Sequence, residues 1–352
     1  MTPLGQLLAE RIREGGPVTV ADYMAECLLH PVHGYYTTRD PFGTAGDFTT
    51  APEISQMFGE LVGLALAQAW MDQGSPSPFT LAELGPGRGT LMADILRATK
   101  GVPGFHAGAE VVLVEASPVL RRTQNQTISR GHDLGLRWIE AAGDLPERPL
   151  FLIANEFFDA LPIHQYQFQS GGWYERLVGL KDGALAFGLA ERPMLPGTAA
   201  FLQQEEGLIV EDGRIGRFVM GQVHHRLHHQ GGLALVIDYG GWRSRGDTLQ
   251  ALRAHAFDDP LAHPGEADLT AHVDFEALAA LAPAHAFITQ GEFLRHLGIE
   301  ARAERLARNL TGPALESHLA ALRRLTHPQE MGSLFKVLAL TRAGAPPPPG
   351  FA

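Results

Sequence analysis

The apolar positions along the chain follow two alternating periodicities. Short apolar runs, typical of buried strands, are separated by stretches in which apolar side chains recur roughly every three or four residues, as on one face of a helix. The strand candidates are residues 79–84, 111–114, 136–139, 150–154, 233–237, 286–289 and 334–340. Because strands that alternate with helices favour parallel pairing, the pattern predicts an α/β fold with a mainly parallel, doubly wound sheet.

Two regions depart from this alternation. Residues 3–29 carry two helical patterns that precede the sheet, and residues 55–72 carry a third. Three short strand patterns joined by glycine-containing turns predict a small antiparallel meander inserted beside the core, at 163–169, 173–180 and 184–189.

These patterns divide the chain into four parts. Residues 1–75 form N-terminal helices and a lid-like loop, and residues 76–162 together with 233–342 form the core. Residues 163–232 hold the inserted meander and a helix, and the proline-rich residues 343–352 form a flexible tail.

The charge and cysteine content narrow the class of protein. The chain has 352 residues and a formal charge of -11, which opposes attraction to nucleic acid or to an anionic membrane. Its single cysteine, Cys27, excludes an internal disulfide framework. No apolar run reaches the roughly 18 residues of a membrane-spanning helix, and the N-terminal residues lack the apolar stretch of a secretory signal. We therefore expect a cytoplasmic protein without membrane insertion.

A glycine-rich turn follows the first core strand. Gly85, Gly87 and Gly89 let the backbone approach a ligand closely and aim helix N-terminal amides at it. The dinucleotide fingerprint has its third glycine three positions after the second, whereas here the spacing is two, which disfavours NAD and FAD. Glu83 disfavours a pyrophosphate and suits an ammonium group. The cofactor-binding candidates here are Glu83, Gly85, Pro86, Gly87 and Gly89.

A second acid ends the next strand. Glu115 occupies the position from which a carboxylate accepts the hydroxyls of an unphosphorylated ribose. An ammonium near Glu83 and a ribose on Glu115 together predict S-adenosyl-L-methionine as the cofactor. The alternative is a plain glycine-rich turn with incidental acids.

An acidic and aromatic loop follows the fourth strand. Asn155, Glu156 and Asp159 lie at the carboxyl edge of the sheet, where ligands bind in such folds. Carboxylates and aromatic rings can seat the planar guanidinium of an arginine. These three residues are the catalytic candidates, with Glu156 in the main role. The alternative is that Asn155 and Asp159 cap the following turn.

Other polar residues have open roles. The loop around Asp47 is placed to fold over the cofactor, which makes Asp47 a further cofactor-binding candidate, although an ordinary turn is the alternative. His272, Asp274 and Asp238 either shape the site or cap local structure. Four histidines make i, i+4 pairs around Arg226, a spacing that can bind metal, but we interpret them as a solvated helix face and predict no metal site: His224, His225, His228 and His229.

Many of these blocks, in order, resemble one known family. The chain is similar to the MidA family of class I methyltransferases, whose mitochondrial members are the protein-arginine methyltransferases needed for respiratory complex I assembly. The matching blocks include 22–24, 34–36, 46–53, 83–90, 155–162, 238–240, 268–275, 289–291 and 331–336, whereas 190–232 does not match clearly.

The resemblance implies a seven-stranded Rossmann-like sheet in which residues 335–340 form the reversed last strand. It also implies S-adenosylmethionine as cofactor and symmetric dimethylation of an exposed arginine in a protein partner, such as a complex I subunit. A small-molecule methyltransferase, a non-catalytic assembly chaperone that retains cofactor binding and, less favoured, a dehydrogenase are the alternatives. The sequence predicts no oligomeric state.

Overall fold

The computed structural model describes residues 1–38, 50–130, 134–194, 204–282 and 284–351. Its helices are α1 (Pro3–Gly15), α2 (Val20–Leu29), α3 (Tyr35–Thr38), α4 (Ala51–Ile54), α5 (Gln56–Asp72), α6 (Thr90–Thr99), α7 (Phe105–Gly108), α8 (Pro118–Ser129), α9 (Arg214–Gln230), α10 (Phe275–Ala279), α11 (Gln290–His296), α12 (Ile299–Ala307), α13 (Gly312–Thr326) and α14 (Met331–Leu334). A 3-10 turn spans Ala142–Asp144.

Its strands are β1 (Val18–Thr19), β2 (Phe79–Leu84), β3 (Ala109–Val114), β4 (Leu136–Ile139), β5 (Leu150–Asn155), β6 (His164–Gln169), β7 (Gly172–Lys181), β8 (Ala184–Leu189), β9 (Ile209–Asp212), β10 (Gly232–Gly241), β11 (Gln250–Arg253), β12 (Ala256–Asp258), β13 (Asp268–Thr270), β14 (Val273–Asp274), β15 (Ala284–Thr289) and β16 (Phe335–Thr341).

Seven strands of the main sheet follow one another in the order β4-β3-β2-β5-β10-β16-β15, and the two-residue strand β14 pairs with β10 beside this path, which makes eight in the described chain. Strands β4, β3, β2, β5 and β10 pair in parallel, and β16 runs antiparallel to both β10 and β15. The predicted mainly parallel sheet with a reversed last strand is therefore confirmed.

The chain divides into two compact units, and the sheet unit comprises Thr49–Phe158, Val219–Gly240 and Leu278–Ala352. Every residue of β2 and β5 is buried. Strands covered on both faces read as nearly continuous apolar runs, which is why the sequence pattern identified them. Glu83, near the end of β2, is the charged exception and is 2% exposed.

The second unit comprises Met1–Phe48, Asp159–Phe218 and Gly241–Ala277. Strands β6, β7 and β8 form the predicted antiparallel meander, extended by β1 and β9 into a five-stranded sheet. A separate three-stranded sheet has the order β12-β11-β13. Helices α1 and α2 supply apolar side chains to the core of this unit.

The contact-based grouping differs from the division expected from the sequence. Residues 241–277 group with the meander and the N-terminal helices, because β11, β12 and β13 pair with one another instead of continuing the main sheet. The C-terminal tail also makes contacts: the Phe351 ring lies 5.4 Å from the ring of Phe293, and the Gly350 carbonyl oxygen lies 3.1 Å from Nδ1 of His296. The four-part division otherwise stays a prediction.

Candidate active site

The glycine turn lies between β2 and α6 and is shaped by left-handed backbone. Gly85, Gly87 and Gly89 have φ of 60°, 53° and 83°, a region that side chains other than glycine rarely adopt. A Cβ atom on Gly85 would lie 2.8 Å from the ring of Phe157. The N–H of Gly89 donates to the carbonyl oxygen of Pro86 at 2.8 Å and closes the turn. The backbone conformation therefore favours glycine at all three positions, and at Gly85 the space beside Phe157 requires it as well.

Glu83 places a carboxylate at the carboxyl end of β2. Its pKa is raised from 4.5 to about 8, mainly by burial; a hydrogen bond from the backbone of Met92 opposes the rise, and the charge of Glu115 adds to it. Its Oε2 is buried and has no hydrogen-bond partner among the residues that the structure describes. A buried carboxylate oxygen without a donor costs free energy, so this atom fits a ligand that brings a cation or an N–H group.

Glu115 lies one residue beyond β3, and both oxygens of its carboxylate accept hydrogen bonds. Its Oε1 accepts from the backbone N–H of Ser117 at 2.8 Å, and its Oε2 accepts from Nε2 of Gln124 at 3.0 Å. Burial raises the pKa of Glu115, and these hydrogen bonds act against the rise. A carboxylate offers about four acceptor positions, so both oxygens can still accept ligand hydroxyls.

Gln124, which the sequence did not single out, contacts two of the cofactor-binding candidates, Gly87 and Glu115. It is fully buried in α8, and its Nε2 also donates to the carbonyl oxygen of Gly87 at 2.9 Å. Its Oε1 accepts from Nε1 of Trp138 at 2.8 Å. The helical periodicity of the sequence could have shown that Gln124 is buried, because Leu120 and Ile128, four residues before and after it, lie on the buried face of this helix.

Glu156 follows the end of β5 in a strained conformation. Its φ is 50°, which costs a non-glycine residue on the order of 1–3 kcal/mol. Its N–H donates to the carbonyl oxygen of Ile237 at 2.9 Å, which holds the backbone in place. Its Oε1 accepts from Nδ2 of Asn155 at 3.1 Å and from the backbone N–H of Ala51 at 3.2 Å. Strain of this kind clusters at functional sites.

Asn155 completes the carboxyl edge of the two central strands. Its side chain donates to the Glu156 carboxylate, whereas its own Oδ1 is buried without a hydrogen-bond partner among the described residues. Because β2 and β5 are parallel neighbours, Asn155 and Glu83 lie at the same edge of the sheet. Two buried acceptors at one sheet edge are typical of a site that receives donors from a ligand.

Asp159 groups with the other unit, although it is only three residues from Glu156. Its carbonyl oxygen accepts from the N–H of Ala271 at 2.9 Å. Burial raises the pKa of the Tyr36 hydroxyl, which donates to Asp268 at 2.9 Å, and the charges of Asp268 and Asp159 raise that pKa further. Asp47 and the proposed lid lie outside the described residues.

Three open candidates have local contacts. Asp238 is fully buried and accepts from the N–H groups of Phe158 at 3.0 Å and Tyr239 at 2.9 Å, so it supports the loop that carries Glu156. Asp274 accepts from the N–H of Ala277 at 3.0 Å, which is a helix-capping contact at α10. The N–H of His272 donates to the hydroxyl of Thr248 at 2.9 Å.

The histidine pairs lie on α9, as predicted, but Arg226 differs from the expectation of a solvated face. Its guanidinium is buried and donates to the carbonyl oxygens of Gly143 and Leu145, because α9 turns this position inward. Within the described ranges, no group of three or more His, Cys, Asp or Glu side chains is arranged to hold a metal ion. None of the described helices combines the length and apolar character needed to cross a membrane.

The strand order and these side chains define a class. Strands β2, β3 and β4 extend in one direction and β5 begins the other, so the order reverses at the edge where ligands bind in such sheets. A glycine turn after β2 and an acid after β3 at this edge, with a reversed last strand, are the features of a class I methyltransferase.

Comparisons with known proteins agree with this class. A family model described as "Putative S-adenosyl-L-methionine-dependent methyltransferase" matches residues 61–292. The mitochondrial protein arginine methyltransferase NDUFAF7 homolog of Drosophila melanogaster is 37% identical, over 96% of this chain and 84% of its own. The mitochondrial protein arginine methyltransferase NDUFAF7 of Homo sapiens is 35% identical, over 97% of this chain and 83% of its own.

A solved structure is also similar over nearly the whole chain. A protein from Burkholderia thailandensis, described as a "likely methyl transferase" and crystallised with S-adenosyl-homocysteine, has 30% sequence identity to this chain. The TM-score is 0.84, and the match covers 99% of this chain and 94% of the other. The chain thus belongs to this family of S-adenosylmethionine-dependent methyltransferases, the MidA family that the sequence resembled. It is a methyltransferase, and its cofactor is S-adenosyl-L-methionine.

One expectation is corrected by the same relatives. The cytoplasmic location expected from the sequence is contradicted, because the curated proteins from Drosophila melanogaster and Homo sapiens are named as mitochondrial.

Proposed function

We propose that this enzyme transfers a methyl group to the guanidinium of an arginine in a protein substrate. The single observation that carries the proposal is the position of the Glu156 carboxylate. Its backbone is in a strained left-handed conformation, and its Oε1 accepts hydrogen bonds from Asn155 and from the N–H of Ala51. The relatives named as protein arginine methyltransferases support the same acceptor. Symmetric dimethylation and a complex I subunit as the partner are part of this proposal and rest on the family resemblance.

In this proposal the cofactor lies along the edge of β2 and β3. Glu83 receives the amino group of the methionine moiety, because its buried Oε2 needs a donor. The backbone of Gly85, Pro86, Gly87 and Gly89 lies against the cofactor in this proposal, and the left-handed conformation of the three glycines shapes this turn. Glu115 accepts the ribose hydroxyls with its two pre-oriented oxygens.

The charge on the acceptor sets the chemical problem. When bound, S-adenosylmethionine supplies a methyl group whose C–S bond breaks as the new N–C bond forms, leaving a neutral thioether. A guanidinium has a pKa above about 12, so its nitrogens are poor nucleophiles while the positive charge is delocalised over them. The attacking nitrogen must also lose one proton, because the methylated product returns to a single positive charge.

Glu156 makes the guanidinium more reactive by orienting it and by redistributing its positive charge. A carboxylate that accepts an N–H of the guanidinium draws positive charge toward the nitrogen it contacts and fixes the plane of the group. Its two donors, Asn155 and Ala51, hold Oε1 in one place, so little reorganisation is needed when the acceptor binds. The released proton passes to this carboxylate or to water.

The test is a Glu156→Gln variant, which keeps the size of the side chain and removes its charge. We expect methyl transfer to fall roughly 100-fold or more, as is typical when a positioned acid–base group is lost, while S-adenosylhomocysteine binding stays within roughly threefold. The measurement is incubation of the full chain with methyl-labelled S-adenosylmethionine and a protein extract, followed by acid hydrolysis and identification of the labelled amino acid.

A matched variant, Glu300→Gln, changes an exposed glutamate of α12 and should leave labelling intact. Labelled methylarginine that disappears with Glu156→Gln supports the proposal. Undiminished labelling by Glu156→Gln, label on another amino acid, or labelled product that passes a size filter would contradict it, and the last result would favour a small-molecule acceptor.

A further inference from the structure

Gln124 makes three hydrogen bonds inside the sheet unit that no catalytic or cofactor role explains. It is fully buried, yet it is neither at a strand end nor in the glycine turn. Its amide nitrogen donates to Gly87 at 2.9 Å and to Glu115 at 3.0 Å, and its amide oxygen accepts from Trp138 at 2.8 Å. One side chain therefore joins the glycine turn, the acid after β3 and strand β4.

The orientation of this amide is determined by its partners. The carbonyl oxygen of Gly87 and the carboxylate of Glu115 can only accept, and the indole N–H of Trp138 can only donate. A flipped amide would oppose acceptor to acceptor and donor to donor at all three contacts. The network consequently has one arrangement, and it fixes the Glu115 carboxylate relative to the turn.

A single arrangement matters because Glu115 must present both carboxylate oxygens to the ribose in one orientation. A carboxylate that accepts two vicinal hydroxyls must hold both oxygens in the plane that the ribose requires, and rotation about its last torsion destroys that match. Ser117 restrains one oxygen through its backbone N–H, and Gln124 restrains the other. Without Gln124, Oε2 of Glu115 loses the side-chain donor that restrains it.

We propose that Gln124 is a positioning residue that orients Glu115 for the two ribose hydroxyls, with Trp138 fixing the orientation of Gln124. This inference rests on the proposed ribose-binding role of Glu115. Through this role, Gln124 contributes to the selectivity of the site for a ribonucleoside over its 2′-deoxy counterpart. The inference does not require Gln124 to contact the methyl acceptor.

The experiment is calorimetric titration of the full chain with S-adenosylhomocysteine and with its 2′-deoxyadenosyl analogue. The wild-type protein should prefer the ribose form by roughly tenfold, the value of a hydrogen bond to a charged group. Gln124→Met keeps the side-chain length and removes all three contacts, so the preference should shrink roughly fivefold. Gln68→Met, at an exposed position of α5, is the matched control and should keep the wild-type preference.

Two further variants separate positioning from general support. In a Glu115→Gln background, Gln124→Met should not change the preference further, because the group that it orients is gone. Trp138→Phe removes the indole N–H together with part of the ring and keeps an aromatic side chain at this position. It should shrink the preference roughly twofold, and it keeps the test available if Gln124→Met fails to fold.

The outcomes are distinguishable. Equal weakening of both ligands by Gln124→Met or Trp138→Phe, with the preference unchanged, overturns the inference and leaves the role of Glu115 standing. A wild-type protein without any preference overturns the ribose role of Glu115 and the inference with it. A preference that shrinks in Gln124→Met and not in Gln68→Met supports both.

Discussion

The proposed cofactor site has a ribose end and a methionine end, and the two differ in how far the chain satisfies its own polar groups. At the ribose end, defined by Glu115, Gln124 and Trp138, every contact of Gln124 is made within the protein. At the methionine end, defined by Glu83 and Asn155, each side chain buries an oxygen without a hydrogen-bond partner in the described chain. The ribose end is thus preorganised, whereas the methionine end stores free energy that a ligand's donors can recover.

The largest expected effect is a dependence of the free energy of unfolding on pH, caused by Glu83. The pKa of Glu83 is about 8 in the folded protein and about 4.5 in an unfolded chain, so between these values the folded state holds a proton that the unfolded state has released. The contribution of Glu83 to the free energy of unfolding therefore falls as pH rises from 4.5, and it levels off above about 8. Each pKa unit is worth about 1.4 kcal/mol, which makes the loss several kcal/mol.

The measurement is denaturant unfolding of the ligand-free protein at a series of pH values, compared with Glu83→Gln. The variant cannot ionise, so its stability relative to the wild type should increase across this pH range. A difference between the two proteins that does not vary with pH would show that the carboxyl group is not buried in the way described.

The next effect concerns cofactor affinity. Glu83→Gln replaces a charge-assisted contact with a neutral one, which is worth about 1.5–3 kcal/mol, so S-adenosylhomocysteine should bind roughly 10- to 100-fold more weakly. Titration calorimetry measures this loss, and Glu304→Gln, at an exposed position of α12, is the matched control. A variant that is more stable and still binds as tightly as the wild type would argue against an ammonium subsite at Glu83.

The smallest effect is expected at Asn155. Asn155→Ala removes one donor from Glu156, and a single hydrogen bond is worth about 1 kcal/mol, so methyl transfer should slow roughly fivefold. The rate at saturating cofactor is the quantity to measure, with Asn125→Ala, at an exposed position of α8, for comparison. A rate equal to that of the wild type would mean that the Asn155 donor does not position the Glu156 carboxylate.

The fold was largely predictable because buried parallel strands leave a continuous apolar signature. Strand β2 matched its predicted range, and β5 extended by one residue to Asn155. Strand β1 was missed because two residues are too short for a periodicity to register, and β9 was missed because two of its four residues are acidic and leave no apolar run. The grouping of 241–277 away from the sheet depends on tertiary pairing that no local pattern reveals.

The residues of the candidate site were predictable only where their position relative to a strand end could be inferred from the sequence. The glycine turn, Glu83, Glu115 and Glu156 all follow or end core strands, so their positions could be inferred from strand ends. The contact between Ala51 and Glu156 spans 105 residues of chain, and that between Gln124 and Trp138 depends on how α8 packs beside β4. Such contacts become visible only in the folded structure.

The most direct measurement is a crystal structure of this protein with S-adenosylhomocysteine. We predict that the amino group of the ligand lies within hydrogen-bonding distance of Oε2 of Glu83, with both ribose hydroxyls on the carboxylate of Glu115. A ligand bound with its ribose away from Glu115 and its amino group away from Glu83 would contradict the account.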